Sequence, residues 1–449
     1  LILVLRVLLI NPFFKGVYFQ IGLQHPPLGL AYLASVLQQS GYNVNILDLN
    51  VERPALENLS WKEWDVAGIS GDTSRHQIAL EIAKRAKEAG KIVVMGGYHV
   101  TFMDKETLET AWVDYVVRGE GERPFLELLQ CLQEKGDPSQ IRGISLLKDG
   151  HYFCTPQSLL VENLDRMPLP ARELLPMRKY RKNKMSGKSI TTMVTSRGCP
   201  FNCNFCSSSH FAGTRWRARN PQKIVEEIEQ IIQRFNYQAI AFMDDNFTLD
   251  PHRVIAFCQE IVRHNLDIIW WCFSRVDTIV RNEKMVEEMA KAGARMIFLG
   301  LESASNTILS SYKKGITTKT AAKAVEMLKK YGIKVWGSFI IGGLEESQES
   351  IRQTGDYARW LNPDIAQFSI LTPFPGTALF QQARKEKFIA TYDWNKYDGA
   401  HAVMNTKYLT RREIAVETIK SYLKFYGRWS RRKQVEDGLR SVLTSLLKA

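Results

Sequence analysis

Residues 190–206 read Ile-Thr-Thr-Met-Val-Thr-Ser-Arg-Gly-Cys-Pro-Phe-Asn-Cys-Asn-Phe-Cys, a run of strand-forming residues that empties into a loop with three cysteines. Cys199, Cys203 and Cys206 therefore share one short loop directly after an expected strand. Soft thiolates at this spacing suit an iron–sulfur cube, and three of them leave one iron of a [4Fe-4S] cluster without a protein ligand. A cluster that only carries electrons uses four. Structural zinc needs a fourth Cys or His close by, and His210 is the only candidate, so the cluster is the preferred reading.

Outward from this loop, strands and helices alternate. Strands are expected at 190–195, 239–243, 268–274, 296–301, 335–341 and 365–371, with helical patterns at 221–235, 251–264, 283–292, 318–331 and 347–361 between them. Such alternation implies parallel pairing. Six units predict a partial (β/α)6 barrel, open on one side, over 190–376. Residues 1–142 alternate in the same way, with apolar runs at 4–10, 44–49, 66–70, 92–95 and 115–117. Between them lie helical stretches such as 78–89 and 124–134, and an earlier one in which Leu30, Leu33, Ala34 and Leu37 recur at helical spacing before Gly41. The α/β class and a doubly wound, Rossmann-like first domain follow, with a ligand crevice at the carboxyl ends of its strands. Residues 143–189, with Met167-Pro168-Leu169-Pro170, read as a linker. Residues 377–449 read as a basic helical region.

Composition narrows the classes. The chain has 449 residues and a net charge of +13, and no segment approaches the roughly 18 apolar residues of a membrane span. The opening run 1–10 is broken by Arg6 and lacks a small-residue cleavage site, so it reads as a first strand rather than a signal peptide. Seven cysteines are an odd number with three crowded together, which argues against disulfides and for a reducing cytoplasm. Cys131, Cys154, Cys258 and Cys272 read as small buried hydrophobes. Positive charge gathers over 178–188 and from Lys407 onward, where 11 basic residues face 4 acidic ones. This suits an acidic protein partner, an anionic substrate or a membrane face, and equally a solvated helix. No nucleic-acid motif accompanies it.

The Cys-x3-Cys-x2-Cys loop, with Phe205 before its last cysteine and Thr195-Ser196-Arg197-Gly198 ahead of it, resembles the signature of radical S-adenosylmethionine (SAM) enzymes. The resemblance implies that SAM chelates the open iron, and that one electron cleaves it to methionine and a 5′-deoxyadenosyl radical. It also implies SAM contacts near strand ends: Phe205 against adenine, Asp244 on the ribose or methionine amine, Arg275 on the carboxylate, Glu302 on the ammonium or ribose, and backbone at Ile340 and Gly342. One stretch departs from the family pattern. Where relatives often carry Gly-Leu-Pro-Gly-Glu-Thr, this chain has Gly342-Gly343-Leu344-Glu345-Glu346-Ser347, which puts the local loop and any role of Glu346 in question.

A doubly wound domain ahead of such a barrel resembles the cobalamin-dependent branch, with echoes at 25–34, 96–101 and 117–122. This implies cobalamin beside Ser70, Gly71, Thr73, Gly96, Gly97, His99, Thr101, Gly119 and Glu120. The Asp-x-His-x-x-Gly cobalt-ligand motif is absent, so His25, His76 and His99 read as surface or capping histidines, with no histidine below cobalt. The resemblance points to methylation of an unactivated sp3 carbon by way of methylcobalamin. The alternatives are an oxidative cyclase or rearrangement enzyme with the same cofactors, and a non-catalytic cobalamin-binding regulator. A protein, peptide or anionic small molecule is the expected substrate, and a ferredoxin- or flavodoxin-type reductant the expected partner.

Overall fold

The computed structural model describes residues 4–14, 24–52 and 59–427. It divides into two compact units. The first holds a seven-stranded sheet in the order β2-β1-β3-β4-β5-β6-β7: β1 Arg6–Asn11, β2 Asn43–Asp48, β3 Val66–Ser70, β4 Ile92–Gly96, β5 Tyr115–Val117, β6 Ile144–Lys148 and β7 His151–Cys154. β1 to β5 are parallel. Order 2-1-3-4-5 places a topological switch between β1 and β3, where open α/β sheets receive ligands. Leu8, Ile10, Ala67, Ile69, Val93 and Met95 form the core with Ala79, Ile82, Ala83 and Ala86 of helix His76–Glu88. That helix shows the three-to-four-residue spacing that buries one face.

The stretch expected to be a linker is ordered differently. β6 and β7 extend the first sheet as an antiparallel hairpin, and the chain stays with the first unit to Tyr180. The Asp149-Gly150 turn makes the hairpin possible, because both residues take positive φ, 51° and 75°. Strand β7 is exposed, so Cys154 lies at the surface rather than in a core, and Cys131 is half-buried. Cys258 and Cys272 are buried as expected.

The second unit carries a seven-stranded sheet in the order β16-β15-β14-β13-β12-β9-β8. Its strands are β8 Lys184–Met185, β9 Lys188–Met193, β12 Ala239–Phe242, β13 Ile269–Ser274, β14 Ala294–Glu302, β15 Lys334–Ile341 and β16 Ile365–Ile370. Six are parallel, and β8 is a short antiparallel edge. Four of the helices between them begin on Asn220, Asp250, Thr317 and Ser347, whose side chains cap the first turn. Trp270, fully buried, packs with Phe242, Phe247 and Phe257 on the helix-bearing face. Its neighbours Trp271 and Phe273 project to the other face, toward Phe298 and Trp336.

After β16 the chain adds helices Ala378–Lys385 and Arg411–Tyr426. The last helix covers the free edge of β16 with two phenols. Tyr426 Oη accepts from Ala366 N–H and donates to Ala366 O, both at 3.0 Å, and Tyr422 Oη accepts from Phe368 N–H at 3.1 Å. Part of the expected basic tail, 428–449, lies outside the described residues. Among the described residues, no helix is long and apolar enough to cross a membrane.

Candidate functional site

The cysteine loop is closed at its base by a two-strand ladder. β10 Ser196–Arg197 pairs antiparallel with β11 Arg217–Ala218. Both oxygens of Asp244 serve this base: Oδ1 accepts from Thr195 N–H, and Oδ2 from the Thr195 and Ser196 hydroxyls, each at 2.6 Å. Arg253 adds bonds to Thr195 O at 3.1 Å and Thr195 Oγ1 at 2.6 Å. Asp244, expected at the ribose or amine, is thus committed to holding the Thr-Ser-Arg-Gly segment. The next residue, Asp245, is exposed, although its carboxyl is partly shielded from water. Loss of water there, and then the Asp244 charge, raises its carboxyl pKa, while Ser208 works against the shift.

Inside the loop, none of the three thiols is in a disulfide. Burial pushes Cys199 up to about 11, and the neighbouring Cys206 and Cys203 add to this. Burial also raises Cys203, with Lys314 and Arg275 pulling the other way. Cys199 and Cys203 both feel Cys206, yet among the described residues no three His, Cys, Asp or Glu side chains are drawn together closely enough to hold a metal ion. The Asn204 backbone N–H donates to Tyr312 O at 3.2 Å, its side-chain amide donates to Ser311 O at 2.8 Å, and its carbonyl accepts from Leu379 N–H at 3.0 Å. The middle of the loop is therefore pinned from two sides.

Around the loop, Arg275 lies flat over the Phe201 ring at 3.6 Å, donates to Asp277 Oδ1 at 2.9 Å and to Lys314 O at 2.7 Å. Glu302 closes β14 with a positive φ of 61° and accepts from Lys314 Nζ at 2.5 Å. Phe205 and Ile340, both expected at adenine, do come together: Phe205 packs against the apolar cluster that contains Ile340, Tyr312, Leu344 and Leu371. Gly342 follows β15 with φ 86°, and its N–H and that of Gly343 donate to Glu346 Oε2 at 2.7 and 2.8 Å. Lys314 escaped the sequence reading, and Glu346 was named there without a role. Lys314 carried no motif, and Glu346 sat in a stretch that departs from the family pattern.

In the first unit, the loops after β3 and β4 interlock. Gly71 N–H donates to Gly96 O at 2.6 Å, and His99 N–H donates to Gly71 O at 2.9 Å. Gly97, at φ 113°, packs tightly on the neighbouring loop: a Cβ there would crowd the Gly71 backbone, 3.1 Å from its N. Thr101 Oγ1 donates to Gly97 O at 2.7 Å and accepts from Gly119 N–H at 3.0 Å, joining the third loop to the other two. Glu120 Oε2 accepts from Val161 N–H at 3.0 Å. Ser70 ends β3, and Thr73 Oγ1 lies 3.3 Å from His99 Nδ1.

The histidines need correction, because His76 and His99 are not at the surface. They are 2% and 0% exposed, with ring centroids 4.0 Å apart. Burial lowers their pKa values to about 4 and about 2, His76 adding to the shift at His99.

Residues 193–358 match the Radical SAM superfamily, and 15–129 match the B12 binding domain. An uncharacterized methyltransferase of Pyrococcus horikoshii is 39% identical over 433 residues, 95% of this chain and 93% of its own. The chain belongs to the cobalamin-binding branch of the radical SAM superfamily. Other similarities follow this branch. The anaerobic magnesium-protoporphyrin IX monomethyl ester cyclase of Rubrivivax gelatinosus is 31% identical over 94% of this chain and 77% of its own. The structure of the radical SAM methyltransferase TsrM from Kitasatospora setae, with cobalamin and [4Fe-4S] bound, has the same fold, with a TM-score of 0.72 at 21% identity over 87% of this chain and 76% of that one.

The cofactors of this branch are a [4Fe-4S] cluster, SAM and cobalamin, and the residues present suit them. Three cysteine sulfurs on one loop, none of them in a disulfide, are the soft donor set an iron–sulfur cluster takes, and the burial that raises Cys199 and Cys203 is offset when a metal's charge holds them as thiolates. In the first unit, the buried His76 Nδ1 has no partner among the described residues, as expected in a crevice made for a ligand with its own hydrogen-bonding groups. The chain is an enzyme of this branch.

Proposed function

We propose that this enzyme transfers a methyl group to an unactivated sp3 carbon. The observation that carries the reading is the similarity, over 95% of the chain, to a protein described as a methyltransferase. When bound, the cluster supplies the electron that breaks SAM, and cobalamin supplies the methyl group. The chain's own residues do the rest. Cys199, Cys203 and Cys206 would hold the cluster through three thiolates, with SAM taking the remaining iron. Arg275, flat on Phe201, presents its remaining N–H groups to the methionine carboxylate. Phe205 and Ile340 give adenine an apolar wall, and Asp245, bonded to Ser208 and outside the Thr-Ser-Arg-Gly base, offers the carboxylate that Asp244 cannot. The interlocked loops around Gly71, Gly97, His99, Thr101, Gly119 and Glu120 form the cobalamin edge.

Oxidative cyclisation is the second reading, favoured by the 31% identity to a cyclase. The two differ before any substrate is known. Anaerobic holoenzyme with cob(I)alamin and methyl-deuterated SAM is expected to form deuterated methylcobalamin and S-adenosylhomocysteine. Production of 5′-deoxyadenosine alone would favour cyclisation, and neither product would favour a non-catalytic regulator. The substrate class is proposed as a protein, peptide or anionic small molecule on the strength of the net charge of +13. We place the reaction in the cytoplasm, where a ferredoxin or flavodoxin supplies electrons.

A further inference from the structure

Lys314 stands where a lysine is costly. Its side chain is 11% exposed, and its ammonium donates to Glu302 Oε1 at 2.5 Å. Space for the pair comes from Gly300, where a Cβ would lie 2.5 Å from Lys314 Nζ and 2.3 Å from Glu302 Oε1. The backbone is equally fixed. Lys313 and Gly315 take positive φ on either side, and Lys314 O accepts from Arg275. The same turn holds the cluster loop through Asn204, bonded to Ser311 O and Tyr312 O. The ammonium is thus fixed by Glu302, on a turn whose backbone is held by Arg275 and bonded to Asn204, the neighbour of Cys203, although an apolar side chain would bury more cheaply.

We propose that Lys314 is a positioning residue for electron entry: its buried ammonium, locked by Glu302, offsets the charge gained beside Cys203 when the cluster is reduced. Reduction brings one electron from an external low-potential donor and no proton, so the cluster becomes more negative by one unit. A fixed cation near a thiolate favours that state. The proposal rests on the cluster alone and does not depend on methyl transfer.

The test is spectroelectrochemical titration of the anaerobically reconstituted enzyme, with iron content as the control for loading. Lys314→Met is expected to move the cluster midpoint to a more negative potential, with the reduced fraction at fixed potential falling about tenfold, or about 59 mV for one electron. Lys314→Arg, which keeps the charge, is expected to retain the wild-type value. Gly300→Ala displaces the ammonium without deleting it, and is expected to shift the potential in the same direction as Lys314→Met. This variant decides the matter if Lys314→Met loads no cluster. A wild-type midpoint in a fully loaded Lys314→Met or Gly300→Ala enzyme would overturn the proposal, and so would an equal shift in Lys314→Arg.

Discussion

Glu346 grips two backbone amides at the end of β15 although the proline of the family pattern is missing. Its Oε1, like the Tyr312 hydroxyl, is buried with no partner among the described residues. Burial pushes this carboxyl up to about 7 from its ordinary 4.5, with Gly343 and Gly342 opposing. The folded state therefore holds a proton that the unfolded chain has released. Stability is intact below about 4.5 and falls as the pH rises toward 7, by roughly 3 kcal/mol. Glu346→Gln removes that slope, so thermal melts under anaerobic conditions should show the wild type losing stability relative to the variant between pH 5 and 7. At this scale the cysteines were legible because their spacing is the chemistry. Asp244 and Asp245 were not separable, since adjacent acids differ only in which one meets Thr195 and Ser196. Lys314 was hidden because its meaning comes from Gly300 and Glu302 across the strand end.

Among the elements, helices with a polar cap and a proline start were read closely: the pattern at 221–235 became helix Pro221–Phe235, ended by Asn236 in the left-handed region. Strands were found wherever their apolar runs were buried on both faces. The hairpin β6–β7 was missed because β7 is solvent-exposed and lacks such a run, although Asp149-Gly150 is a strong turn signal. The three loops around Gly97 were recognised as a set, but their glycines serve loop-to-loop contact as much as any ligand. Gly97 has φ 113° and ψ −175°, a region that side chains avoid at a cost of about 1–3 kcal/mol. Gly97→Ala should part the loops after β3 and β4. Its expected outcome is weaker corrinoid retention, read as absorbance after gel filtration, with the iron content of the second unit unchanged.

For the whole molecule, alternation of strands and helices was enough to give two α/β units. It could not give their border, because the antiparallel extension of the first sheet follows no βα rhythm. Each unit has its own sheet and apolar core. Cys203→Ala should therefore abolish iron binding and leave cobalamin affinity at the wild-type level, measured by corrinoid titration. Loss of both cofactors would show that the units fold only together. One end of the second sheet carries a further consequence. Tyr422 and Tyr426 already occupy Ala366 N–H and O and Phe368 N–H, backbone groups that β16 would offer to an incoming strand. A half-closed cylinder would otherwise be a template for chain-to-chain polymerisation. With these rungs claimed by phenols, the open sheet offers an incoming strand less to grip, and Tyr422→Phe with Tyr426→Phe should raise light scattering at high protein concentration.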